Sequence, residues 1–185
     1  MLSVTTPSPI AGLAVISSMP VQDSRGKFAR LFCTNLLADI HAERPIAQVN
    51  FSLTCARGSV RGLHYQRSPA AEGKWVRCLR GRVLDIAVDL RAGSPTFLNH
   101  FAVELSAEAM NAIFIPEGCA HGFQTLETDC ELLYLHTAPY TPAHEGGVRW
   151  DDPRLDIVWP LPVSELSDRD RSHPLLTADF EGLTL

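Results

Sequence analysis

The five cysteines, Cys33, Cys55, Cys78, Cys119 and Cys130, include no Cys-x-x-Cys pair. Their odd number and wide spacing exclude a disulfide framework and predict free thiols in a reducing compartment. Cys55, Cys78 and Cys130 fall in or beside apolar strands and are expected to be small buried hydrophobes. Cys119 is expected in a glycine-rich loop. No apolar run approaches the roughly 20 residues of a membrane span. The beginning of the chain has no positive segment, and its apolar run from Ile10 to Ile16 is too short and too far in for a signal core. Positive charge is scarce: 16 Lys and Arg against 21 Asp and Glu leave a net −5. That balance excludes general binding to nucleic-acid polymers or anionic membranes. The expectation is a soluble, cytoplasmic protein. Repeats are absent as well.

What is present suits one domain. The chain has 185 residues with 45% apolar content, enough for a good core. A single unit over 1–185 is expected, with residues 1–12 as an N-terminal arm, loose through its Thr/Ser/Pro-rich first nine residues. Strand candidates are Leu13–Met19, Lys27–Cys33, Ala47–Thr54, Val60–Gln66, Lys74–Arg80, Arg82–Leu90, His100–Glu104, Ala112–Ile115, Gly122–Leu126 and Cys130–His136. Turn residues such as Arg80-Gly81, Ala92-Gly-Ser-Pro95 and Pro116-Glu-Gly118 separate them. Many short strands with Gly/Pro turns predict an antiparallel sandwich or barrel. Thr34 and Asn35 can cap a short helix through about Glu43. Beyond residue 140, Pro142, Pro153, Pro160, Pro162 and Pro174 predict a segment over 141–185 without regular sheet, packed on the barrel through Trp150 and Trp159.

Chemistry concentrates in Arg61-Gly-Leu-His64-Tyr-Gln and Glu72-Gly-Lys74-Trp-Val-Arg77. Ionisable groups in strands that must face a core are costly unless paired. A buried His can be satisfied by a carbonyl and a Lys can snorkel to water, so each residue alone is ordinary; the set points to work on an anionic or carbonyl substrate. Arg57, Arg61, Lys74, Arg77 and Arg80 could supply the local positive charge that an acidic protein needs for such a substrate.

The stretch Ile115-Pro-Glu-Gly118-Cys-Ala-His121-Gly122 resembles the second motif of the cupin superfamily, which implies a double-sheet jelly-roll barrel with short peripheral helices. The first cupin motif normally supplies a His-x-His pair for a metal. Here His64-Tyr65-Gln66 keeps one imidazole of the pair, and a first-row metal usually needs three good ligands. No metal and no cofactor are therefore expected, with a metal-dependent oxygenase as the losing alternative.

Arg61-Gly-Leu-His-Tyr-Gln, Glu72-Gly-Lys74, Ser94-Pro-Thr-Phe97, Ile115-Pro-Glu-Gly-x-Ala-His-Gly-Phe123 and Val148-Arg-Trp-Asp-Asp-Pro153 together resemble the dTDP-4-dehydrorhamnose 3,5-epimerase family, from about Asp23 to Pro174. The resemblance implies epimerisation next to the ketone of a dTDP-4-keto-6-deoxy sugar. It assigns the general base to His64, its carboxylate partner to Asp170 in Ser167-Asp-Arg-Asp170, the enolate-stabilising cation to Lys74 and the opposite-face acid to Tyr134. It implies substrate binding by Arg25, Gln48, Asn50, Arg61, His121, Glu145 and Arg169, an aromatic such as Phe28 for the base, and a homodimer in which Arg25 and Arg30 can reach the partner's site. This sequence departs from the family pattern at Arg30, where an acid is common, at Arg169, where Lys is usual, and at Trp75, where an aliphatic residue is usual. The alternatives are an epimerase inverting C3 or C5 alone, a ketoisomerase, and a non-catalytic sugar-nucleotide-binding cupin.

Overall fold

Alternating inward and outward side chains build two antiparallel sheets face to face. The computed structural model describes residues 1–6, 8–41 and 44–185. One sheet contains β1 (Leu2–Thr5), β2 (Ala14–Ser18), β5 (Gln48–Thr54), β7 (Lys74–Arg80), β10 (Asn111–Ile115) and β12 (Cys130–His136), in the order β1-β2-β10-β7-β12-β5. The other contains β6 (Val60–Gln66), β8 (Arg82–Asp89), β9 (His100–Ser106), β11 (Cys119–Thr125) and β13 (Glu145–Gly147), in the order β13-β6-β11-β8-β9. A hairpin of β3 (Val21–Asp23) and β4 (Gly26–Phe28) stands apart from both. This is the expected mainly β, cupin-type architecture.

Period-2 patterning decides which residues meet. Val76 and Cys78, Ile113 and Ile115, Leu132, Val83 and Ala87, Cys119 and Phe123 form the inner core between the sheets. The intervening residues point outward and are covered from elsewhere. Helix α1 (Thr34–His41) brings Leu37 onto Trp75, Ala112 and Phe114. The C-terminal segment brings Leu155, Ile157, Trp159, Leu176 and Phe180 onto Leu63, Ile86 and Val88. Each large aliphatic side chain so buried contributes about 1.5–3 kcal/mol.

The structure departs from the sequence reading at several places. The arm is not loose over its first residues: β1 extends the open edge of β2, pairing Leu2 with Ser18. The strand expected over Lys27–Cys33 stops at Phe28, because β4 pairs only with the short β3. The helix expected to about Glu43 is described to His41, and Glu43 lies outside the described residues. The proline-rich tail contributes β13, paired with β6, and a short helix α2 (Asp168–Ser172). Cys55 is exposed, one residue past the end of β5, where no layer covers it. Cys119 lies in β11, and burial pushes its thiol up to about 12, so it stays protonated through the neutral range.

Trp75, unusual in its position, faces outward and packs against Phe114 at 4.7 Å and Phe32 at 5.7 Å between ring centroids. It occupies the helix-covered layer, away from the barrel interior.

Candidate active site

Between the sheets, toward one end of the barrel, the inner apolar rows give way to polar side chains around a cavity of about 540 Å³. Lys74 from β7 and Tyr134 and His136 from β12 line it on one sheet; Arg61 and His64 from β6 and His121 from β11 line it on the other. Asn50, Ser52, Glu72, Gln66 and Glu145 complete the polar lining.

Close approach of β6 and β11 sets the register that puts His64 opposite His121. Gly62 makes this possible: its φ is +122°, and a Cβ there would sit 2.6 Å from the Cα of Gly122. His64 Nε2 lies 2.6 Å from Asp170 Oδ1. The carboxylate can only accept, so Nε2 carries the proton of that bond and Nδ1 keeps the lone pair. Asp170 is buried, and burial alone would raise its pKa. The hydrogen bond and charge of His64, the Gly62 N–H at 3.2 Å and Ser167 outweigh burial and keep it below the usual carboxylate range. Ser167 N-caps α2 by accepting from the Asp170 N–H at 3.0 Å, which orients the carboxylate toward β6.

Across the cavity, Tyr134 donates to or accepts from Ser52 Oγ at 3.0 Å. Burial pushes its phenol up to about 12, so it is protonated throughout the neutral range. Lys74 Nζ lies 3.1 Å from Glu72 Oε1, and both side chains are less than a tenth exposed. Glu72 also accepts from His136 Nδ1 at 2.8 Å, and His136 Nε2 then accepts from Asn50 at 3.4 Å. Burial of Glu72 acts against its charge, but His136 and Lys74 together keep its pKa low. Glu72 thus keeps a cation in a desolvated cavity, which sequence spacing did not reveal. Asp85 was also missed. It is fully buried on β8 and 2.9 Å from His121 Nε2. Burial pushes Asp85 up and His121 down, each toward its neutral form. An acid within the apolar run Val83–Leu90 was the available signal.

Of the expected site residues, His64, Lys74, Tyr134, Asn50, Arg61, His121 and Glu145 line this cavity, and Asp170 lies behind His64. Glu145 accepts from Tyr140 at 2.6 Å and pairs with the Arg169 guanidinium. Gln48 supports the rim, donating to Asn50 and accepting from the Tyr140 N–H. Arg25 is not brought in. It sits at the turn of the exposed β3–β4 hairpin, paired with Asp23. Phe28 on the same hairpin is exposed. The expected cation cluster also divides. Arg77 points outward to Ser18 and the carbonyls of Met110 and Leu31, Arg80 faces Glu131, and Arg57 binds the Leu126 carbonyl. Only Arg61 and Lys74 of the five line the cavity.

The cupin metal positions do not offer a ligand set. Gln66 is committed through its amide to the Ala70 and Pro139 carbonyls and the Thr141 N–H, and His121 to Asp85. The arrangement can instead remove a proton at His64, steady a developing negative oxygen at Lys74 and supply a proton from Tyr134 on the facing sheet.

The dTDP-4-dehydrorhamnose 3,5-epimerase family matches over residues 7–178. A dTDP-4-dehydrorhamnose 3,5-epimerase of Sinorhizobium fredii is 42% identical over 90% of this chain and 86% of its own length. A dTDP-4-dehydro-6-deoxyglucose 3-epimerase of Streptomyces bikiniensis is 42% identical over 75% of this chain and 71% of its own. The crystal structure of the 3,5-epimerase from Legionella pneumophila in complex with dTDP-4-keto-L-rhamnose superimposes with a TM-score of 0.90 at 34% identity, covering all of both chains.

Proposed function

From the premise that the chain belongs to the dTDP-4-dehydrorhamnose 3,5-epimerase family and is an isomerase of that kind, we propose that it converts dTDP-4-keto-6-deoxy-glucose to the dTDP-4-keto-rhamnose form with no cofactor. One observation carries the proposal. A base on one sheet, backed by a carboxylate from α2, faces a protonated phenol on the other sheet, and a buried ammonium lines the same cavity.

His64 Nδ1 takes the proton from the carbon next to the ketone, and Asp170 stabilises the imidazolium that forms. Electrons move into the carbonyl, and the resulting enolate oxygen is stabilised by Lys74, an interaction worth a few kcal/mol in a water-poor site. Tyr134 returns a proton to the opposite face, which inverts the carbon; before the next cycle solvent reprotonates its phenolate and takes the proton held by the His64 imidazolium. Arg61 suits the diphosphate because a guanidinium donates in a fork; Asn50, His121, Glu145 and Arg169, with Gln48 behind them, contact the sugar and nucleoside.

A homodimer completes the reading. The outer face of the edge strand β5 exposes Val49, Phe51 and Leu53, and across the sheet Leu133 and Leu135 continue that stripe. An apolar edge left open invites another chain. A second copy seated there would bring the β3–β4 hairpin, with Arg25, Phe28 and nearby Arg30, to the partner's cavity. The reaction takes place in the cytoplasm, where nucleotide sugars are made; no described helix is long and apolar enough to cross a membrane.

The similarity to the Streptomyces bikiniensis 3-epimerase favours a second reading, inversion at C3 alone. Incubation with dTDP-4-keto-6-deoxy-glucose in D₂O, followed by NMR, separates the two. Deuterium at C3 and C5 supports the 3,5-epimerase and deuterium at C3 alone the second reading. Nucleotide binding without exchange at either carbon overturns both.

A further inference from the structure

One group beside the base has no part in the chemistry above. His173 ends α2, three residues after Asp170, and its imidazole stands edge-on to His64 with ring centroids 5.7 Å apart. Its Nε2 is buried and has no hydrogen-bond partner. Buried polar nitrogens are nearly always satisfied, so an orphan needs a reason. Space for it is built in: a Cβ on Gly147 of β13 would collide with this ring, and only glycine lets the imidazole sit there.

We propose that His64, Asp170 and His173 form a site for a first-row divalent cation of the zinc type, and that its occupation switches the base off. One ligand atom from each of His64, Asp170 and His173 lies within 4.8 Å of the other two. Asp170 Oδ1 is 2.6 Å from His64 Nε2 and 3.9 Å from His173 Nε2. A tetrahedral zinc with Zn–N bonds of roughly 2.0–2.1 Å separates its ligands by roughly 3.4 Å. Small side-chain rotations therefore suffice. Two imidazoles and one carboxylate select Zn²⁺, Co²⁺ or Ni²⁺ over Mg²⁺ and Ca²⁺, which prefer oxygen. The nearby guanidinium of Arg169 is already paired with Glu145 and so opposes a cation less. The site is distinct from the cupin metal positions, because it draws Asp170 and His173 from the C-terminal segment and leaves out His121.

The switch follows from imidazole tautomerism and rests on the proposed role of His64. A neutral imidazole has one proton and one lone pair. In the metal-free enzyme the proton is on Nε2, facing Asp170, and Nδ1 is the base. When the cation takes Nε2, the proton moves to Nδ1, none is released, and no lone pair remains for the substrate. Inhibition is then stoichiometric with occupancy and reversed by a chelator.

The test starts from chelator-treated protein and measures binding without substrate. Zn²⁺ is titrated by calorimetry and Co²⁺ by its visible absorption into wild type, His173→Gln and Asp170→Asn. The expectation is one ion per chain in wild type, a tetrahedral Co²⁺ spectrum, and affinity lower in both variants by more than about 100-fold. Thermal melting checks folding, and Zn²⁺ raises the wild-type midpoint but not that of His173→Gln. In the D₂O exchange assay, wild-type rate falls in step with occupancy and returns with EDTA, while His173→Gln continues to exchange at the same Zn²⁺ concentration. No stoichiometric binding, or binding unchanged in folded His173→Gln, overturns the site. Binding without loss of exchange overturns the switch. If metal-free wild type exchanges no proton, the epimerase reading fails, and the binding arm still decides the site.

Discussion

Replacing Asp170 with Asn isolates the contribution of one carboxylate to the base. The side chain is 5% exposed, 2.6 Å from His64 Nε2, and accepts a second bond from Gly62 N–H. Asn keeps the shape but has one oxygen in place of the two that accept from Gly62 and His64. The change therefore removes charge with little loss of packing. A hydrogen bond to a charged group in a buried site is worth about 1.5–3 kcal/mol. That stabilisation is realised when His64 becomes imidazolium, in the transition state for proton removal. Its loss slows exchange about 10- to 150-fold, at one decade per 1.36 kcal/mol. If the amide turns its NH₂ to Nε2, the imidazole is held in the wrong tautomer and the loss is larger, as in serine-protease triads with the same substitution. The assay is the initial rate of deuterium entry at the carbons flanking the ketone, at saturating substrate, with thymidine diphosphate affinity measured alongside. Nucleotide affinity should stay within about threefold, half a decade or about 0.7 kcal/mol, since neither the Arg61 side chain nor the Lys74 side chain bonds Asp170. An unchanged exchange rate in a folded variant would refute the reasoning, because the carboxylate would then contribute nothing to the base.

Three other perturbations test the remaining parts. Tyr134→Phe removes the opposite-face acid and leaves His64 untouched. Deuterium exchange should persist while product with inverted configuration falls by roughly 10²–10⁴-fold, the usual share of a general acid; equal loss of both would mean that Tyr134 is not the acid. Glu72→Gln leaves Lys74 buried without its counter-charge and should cost about 3–5 kcal/mol by urea denaturation. The folded pKa of Glu72 is below its unfolded value. Its stabilisation is thus complete above about pH 4.5 and fades as pH falls through the lower folded value. Wild type should lose stability more steeply than Glu72→Gln below that pH, and parallel curves would count against the cluster. Phe51→Asp charges the exposed stripe on β5 and should convert a dimer to monomer at micromolar concentration, read by light scattering; an unaltered dimer would put the interface elsewhere.

Much of the barrel was legible because its strands are short and bounded by strong turn residues. Val60–Gln66, Lys74–Arg80 and Cys130–His136 were read with the boundaries they have. Those strands also bring in His64, Lys74 and Tyr134, and period 2 puts each of the three on an inward face. The failures share a cause. β1 and β13 are strands only because an open edge accepts them, and nothing in Leu2–Thr5 or Glu145-Gly-Gly demands extension. Helix α2 is five residues long, too short to leave a periodic pattern.

The sequence alone determined the alternation that makes two facing sheets, the absence of a spanning helix or a disulfide framework, and the motifs that resemble one epimerase family. Local pattern and turn chemistry act over a few residues, so a sequence displays them directly. The resemblance had already implied Asp170 as the partner of His64, and the fold joins the two across 106 positions. Only the tertiary structure decided the other partners: Glu72 joins His136 across 64 positions, Asp85 meets His121 across 36, and His173 comes to rest against both Gly147 and the base. Arg77, which looked like a substrate cation, turned outward because its neighbours Val76 and Cys78 occupy the inner face. Charge pairing in a desolvated site depends on distances of a few ångströms between strands far apart in sequence. Those distances follow from register and packing, which no local stretch of sequence encodes.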